Sequence, residues 1–138
     1  MDAVYTLERL HMGSLRKGED LVQGLTQFVQ TKGIRMGILW AIGALESARL
    51  AYYDQKKREY VQISIEDGVE ILSMFGNISE KDGRPFIHAH IVVGDKDRVF
   101  GGHVQEGCRV FALEYLILEL SGPILARSFD HETGLFLW

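Results

Sequence analysis

Apolar positions follow two different rhythms along this 138-residue chain. In one segment they recur every three or four residues. Leu21, Val22, Leu25, Phe28 and Val29 form a single stripe, with Gln23, Gln27 and Gln30 away from its centre. A helix with 3.6 residues per turn brings such positions to one face. The pattern predicts one main helix over about residues 19–32. Glu19 and Asp20 in its first turn and Lys32 in its last complement the helix dipole. Gly33 is placed to end it as a left-handed C′ residue.

Elsewhere the rhythm is that of strands. Val4–Leu10, Ile34–Ala41, Ser47–Tyr53, Tyr60–Ile65, Val69–Phe75, Ile87–Val93 and Val110–Leu120 are rich in β-branched, aromatic and aliphatic residues. Glu66-Asp67-Gly68, Lys81-Asp82-Gly83, Asp95-Lys96-Asp97 and Ser121-Gly122-Pro123 separate them as turns, and an extra turn is expected before Ile42-Gly43. Short connections favour antiparallel neighbours. The predicted class is α+β: an antiparallel-rich sheet or partial barrel with one helix over an open side. Residues 110–120 are apolar on both faces, with Glu114 among the aliphatic side chains of one of them. A strand of that kind is either central in its domain or covered by another subunit.

Composition narrows the class further. A length of 138 residues suits one domain spanning 1–138, and 46% apolar with 25% charged residues is ordinary for a globular protein. No apolar run approaches the ~18–20 residues of a membrane span. The first residues lack the basic and apolar regions of a signal peptide, and the single Cys108 excludes an intrachain disulfide. These features predict a cytoplasmic protein. The net charge is −4 and is unevenly spread: residues 1–60 carry nine basic against seven acidic groups, and residues 61–138 six against twelve. Nucleic-acid binding draws on basic groups that displace counterions from phosphates, so this balance gives DNA binding little help.

Chemistry gathers in one place. Three of the five histidines, His88, His90 and His103, fall within sixteen residues. Residues i and i+2 of a strand project from the same face. If the segments around Asp95-Lys96-Asp97 pair as a hairpin centred between Lys96 and Asp97, His90 lies opposite His103 and His88 on the diagonal. Cross-strand neighbours about 4.5–5.5 Å apart and diagonal ones about 7–8 Å apart let three imidazoles converge on a divalent transition metal, zinc foremost. A one-residue slip would send His103 to the other face, and Gly101-Gly102 invites a bulge. Glu114 is a candidate partner of a metal-bound imidazole or an acid/base group, its alternative being an ion pair with Arg109 or Arg127. Arg127 is a second candidate for assisting catalysis. Cys108 is either a soft ligand or a buried thiol, and His11 and His131 stand apart.

Several stretches together resemble a known family. These are Gly18-Glu19-Asp20-Leu21, Ile42-Gly43-Ala44-Leu45, Glu70-Ile71-Leu72-Ser73 with Gly76-Asn77-Ile78, Pro85-Phe86-Ile87-His88-Ala89-His90, Gly101-Gly102-His103 and Glu114. They look like the PPC domain, the plants and prokaryotes conserved domain, and the resemblance covers nearly the whole chain. It implies an α+β fold assembled as a homotrimer, a metal site at His88, His90 and His103, and a DNA-binding label. Asp82-Gly83-Arg84-Pro85 has an aspartate where an AT-hook core has its first arginine, so it is not an AT-hook. Two functional expectations follow: a trimeric, metal-containing regulatory module, or a small metal-dependent enzyme of hydrolase or lyase type.

Overall fold

A computed structural model describes residues 2–138 of the chain. It contains β1 (Thr6–Leu15), α1 (Leu21–Lys32), β2 (Gly37–Asp54), β3 (Glu59–Ile65), β4 (Val69–Lys81), β5 (Arg84–Gly94), β6 (Val99–Val104), β7 (Arg109–Ser121), β8 (Ala126–Asp130) and β9 (Leu135–Leu137). The α+β class and the single main helix are as the hydrophobic pattern predicts.

The helix starts two residues later than expected. Asp20 is its N-cap and accepts the Gln23 N–H at 2.9 Å, so neither Glu19 nor Asp20 lies within the first turn. The other Asp20 oxygen accepts the Gly107 N–H at 2.6 Å, which fastens the helix start to the β6–β7 turn. Gly33 ends the helix at φ 70°, a left-handed conformation in which glycine meets no Cβ penalty. Leu21, Leu25 and Val29 are fully buried against one face of the sheet.

The two strands expected on either side of Ile42-Gly43 are one 18-residue strand, β2, carrying register shifts between Ala41 and Gly43 and again near Leu45. A bulge absorbs an extra residue without ending a strand, so the glycine bends the chain instead of turning it back. The first half of β2 lies between β7 and β4, and its second half pairs with β3 and touches β6. The sheet therefore curls from β4 through β5 and β6 back to β2. It closes on only two residue pairs, Leu50 with Val104 and Ala51 with His103. This is a partial ring of strands, not a barrel. Gly102 makes the closure feasible, because a side chain there would stand 2.8 Å from the Ala51 carbonyl.

Strand β7 is central, flanked by β1 and β2. Its inward residues Leu113, Tyr115 and Ile117 are buried in the core, while Leu116 and Leu118 point to the other face. Two further strands follow the expected turn at Ser121-Gly122-Pro123. β8 pairs in parallel with the end of β4, Lys81 opposite Arg127, and β9 pairs back onto β8. Among the described residues no helix is long and apolar enough to cross a membrane.

Candidate metal centre

The β5–β6 hairpin decides where the histidines meet. The Asp95 N–H donates to the Arg98 carbonyl at 3.0 Å, and the Asp95 carboxylate accepts the Asp97 and Arg98 N–H groups at 2.8 Å each. This self-satisfied turn sets a register in which Gly94 faces Val99 and His90 faces His103, with no bulge at Gly101-Gly102. The expected pairing is the observed one.

The three imidazoles form a triangle, with ring centroids 4.9 Å apart for His88 and His103, 5.2 Å for His88 and His90, and 5.7 Å for His90 and His103. One nitrogen from each lies within 4.8 Å of the others. On a tetrahedral ion with bonds of about 2.0–2.1 Å, ligating nitrogens stand about 3.3 Å apart. Small side-chain rotations close that difference, and three neutral nitrogen donors suit zinc or a neighbouring divalent ion.

Two of the rings are held neutral. Burial pulls His88 from the ordinary 6.5 down to about 4, helped by His103, Arg127 and His90 nearby. Burial also lowers His103, again with His90 and Arg127 contributing. A neutral imidazole keeps its lone pair for a metal, so near pH 7 neither ring has to shed a proton first.

The histidines line a cavity of about 670 Å³ with Tyr60, Lys81, Phe86, Arg127 and Phe136 on its other sides. Pairing explains the arrangement. Asn77 faces His88 and Ser79 faces Phe86 across β4 and β5, so these residues share one face of the sheet. Arg127 reaches that face from β8. It donates to Ser79 Oγ at 2.8 Å, to Asn77 Oδ1 at 2.9 Å and to the Phe136 carbonyl at 3.0 Å. One of its Nη atoms lies 3.5 Å from His88 Nδ1, and the Trp138 ring covers its guanidinium at 4.2 Å. Gly76 completes the geometry: a Cβ there would collide with the His88 carbonyl oxygen, so only glycine lets β5 approach this closely.

The other candidates lie elsewhere. Glu114 is exposed, facing Ser14 on β1 and Ile42 on β2, and it contacts neither the histidines nor an arginine. Its neighbours Ala112, Leu116 and Leu118 lie on the outer face of the sheet, exposed or half-buried, whereas Val110 is buried in the core. Arg109 pairs with Glu46 at 2.8 Å instead. Cys108 is a buried free thiol held by the Arg49 backbone, and burial pushes its pKa up. His11 pairs with Glu119 at 2.8 Å, and His131 stacks edge-on against Phe129. Asn77, Ser79, Lys81 and the aromatic residues of the C-terminal hairpin carry no motif of their own. Only their register with the His88 strand marks them.

Several known proteins share this fold or resemble this sequence. A metal-containing protein from Archaeoglobus fulgidus has the same fold at a TM-score of 0.97 and 42% identity, with 100% of this chain and 98% of that one aligned. A plant- and prokaryote-conserved protein from Pyrococcus horikoshii aligns at a TM-score of 0.94 and 34% identity, over 100% of this chain and 96% of that one. A structure from Bacteroides thetaiotaomicron, described as a candidate DNA-binding protein, aligns at 0.86 and 26% identity over 96% and 95% of the two chains. Among curated proteins, the bifunctional protein GlmU of Synechococcus sp. (strain JA-3-3Ab) is 31% identical over 129 residues, covering 91% of this chain. The chain spans about a fifth of that relative's length, since the match takes in 20% of it. The sequence pattern of the Plants and Prokaryotes Conserved (PCC) domain matches residues 3–121, so the chain belongs to the PCC domain family.

Proposed function

We propose that this PCC domain is a trimeric zinc protein whose ion is held by His88, His90 and His103 at the mouth of a small-molecule pocket. The observation that carries the reading is the convergence of three imidazole nitrogens within 4.8 Å on one sheet face. A zinc ion with three protein ligands keeps a coordination position open and acts there as a Lewis acid or activates water. All three histidines line the same cavity, which favours a site that meets a small molecule over a purely structural ion. A metal-dependent hydrolase or lyase is the enzymatic form of this reading. The metal-containing relative from Archaeoglobus fulgidus supports the presence of an ion.

The homotrimer draws support from the outer face of the sheet. Backbone pairing places Met12, Leu116, Trp40, Phe75, His90 and His103 in one continuous row across six strands. Met12, Trp40 and Phe75 are exposed, as are Leu10 and Ile42 beside them. An apolar band of this extent is what subunit contact covers. It runs directly into the metal row, so assembly would bring a second copy close to the ion. The buried reduced Cys108 fits a cytoplasmic setting.

Metal analysis of protein purified without a histidine tag tests the centre. About one zinc per chain is expected, and His103→Ala should weaken zinc by well over tenfold. Metal-free protein whose zinc affinity is indifferent to that substitution would end the proposal. DNA association is the second reading, favoured by relatives described as candidate DNA-binding proteins. Its test is salt-dependent binding to duplex DNA at micromolar protein, and no binding at low salt would refute it.

A further inference from the structure

Arg127 is only 9% exposed, yet among the described residues no carboxylate lies within ion-pair distance of it. Other arginines of the chain do meet one: Arg35 pairs with Glu80, Arg49 with Glu66, Arg98 with Asp95 and Arg109 with Glu46. The partners of Arg127 are a hydroxyl, an amide, a backbone carbonyl and, at 3.5 Å, the His88 ring nitrogen, which aim the guanidinium without neutralising it. A guanidinium has five N–H donors, and these four contacts leave one for something else. A buried cation is costly unless it is paired.

Lys81 adds a second positive charge to the same cavity. Its ammonium lies 3.6 Å from the centre of the Phe136 ring and 5.5 Å from that of Phe86, with no carboxylate within ion-pair distance. None of the cavity-lining residues is acidic, although the chain as a whole carries a net charge of −4. A divalent ion on the histidines would raise the positive charge further. The rest of the wall is largely apolar and aromatic, and about 670 Å³ is the size of an ordinary small-molecule site.

We propose that this cavity binds a small organic carboxylate, with its acid group between Arg127 and Lys81 beside the histidine triad and its apolar body against Phe86, Tyr60 and Phe136. The inference rests on the metal reading for what lies next to the acid group, and it adds the class of ligand. The remaining guanidinium N–H and the Lys81 ammonium offer charge-assisted donors to the two oxygens of a carboxylate. The aromatic wall suits a ligand with an apolar part better than a bare inorganic anion. The N-terminus of α1, the only helix among the described residues, would be a common kind of phosphate anchor, but it is occupied by its own Asp20 cap.

Calorimetric titration of zinc-loaded protein with benzoate, benzamide and inorganic phosphate tests this, each at up to about 10 mM, where a millimolar Kd still registers. Benzoate should bind and benzamide, similar in shape but uncharged, should be weaker by about tenfold or more. Lys81→Gln and Arg127→Gln should each weaken benzoate by about tenfold while the zinc content measured on the same samples stays unchanged. Lys81→Gln leaves the Arg127 tether of β8 intact, so it remains informative if Arg127→Gln fails to fold. Equal binding of benzamide, benzoate binding indifferent to Lys81→Gln, or phosphate binding without benzoate would each overturn the proposal. Zinc retained with no benzoate binding removes the carboxylate site and leaves the metal centre standing. Benzoate bound at a site that takes no zinc does the reverse.

Discussion

Lowering the pH should loosen the metal less than three ordinary histidines would allow. Zinc competes with protons for imidazole nitrogen. For three free imidazoles of pKa about 6.5, moving from about pH 7.5 to 5.5 costs about tenfold per ring, or about a thousandfold in all. His88, held at about 4 by burial and by the charges around it, stays unprotonated through that interval. Removing it from the competition takes away one factor of ten, and the depression of His103 takes away part of another. The expected loss is therefore below about a hundredfold. Competition against a chromophoric chelator of known pH dependence measures it, with the chelator's own protonation subtracted. A thousandfold loss would mean that His88 titrates as if free in water, and the buried, cation-flanked site described above would be wrong. The sign for stability is the same. A histidine whose folded pKa is depressed contributes stability above its unfolded value of about 6.5, and that contribution fades as the pH falls towards about 4.

Three further outcomes are expected. Gly76→Ala places a methyl group against the His88 carbonyl and Ala89, and should cost about 1–3 kcal/mol in urea unfolding while weakening zinc; a neutral result would mean β5 yields freely. Asp20→Ala removes both the helix cap and the tie to Gly107, for a loss of about 1–2 kcal/mol by the same assay, and a change below about 0.3 kcal/mol would discount the cap. Phe75→Glu puts a charge into the apolar row beside Trp40, 5.3 Å away, and should give monomers by light scattering with helix content unchanged; an unaltered trimer would place the interface elsewhere.

Much of the site was legible because it is local. The helix carries its own period, its own cap at Asp20 and its own stop at Gly33. The β5–β6 pairing is set by four residues of turn, so the distance of His90 and His103 from that turn was enough to oppose them. The spacing left Glu114 ambiguous, since an alternating strand says which residues share a face but not which face is inside. β7 is apolar on both, and only the position of α1 decides that Leu113, Tyr115 and Ile117 point to the core. The fusion of two expected strands into β2 was hidden for a similar reason. Gly43 reads as a turn in isolation and becomes a bulge when β4 and β7 hold the chain on both sides.

By itself, then, the amino-acid order determined the helix, the α+β class and the meeting of His88, His90 and His103, because each depends on residues no more than about fifteen apart. Only the tertiary structure decided what surrounds them. Arg127 reaches Asn77 and Ser79 through a parallel contact between β8 and β4, across about fifty residues of chain, and Lys81 enters the same cavity from the end of β4. A contact of that range is selected by the packing of the whole sheet and leaves no periodic trace in sequence. The histidine triad is written locally, whereas the cationic, aromatic pocket that gives it a partner is a product of the fold.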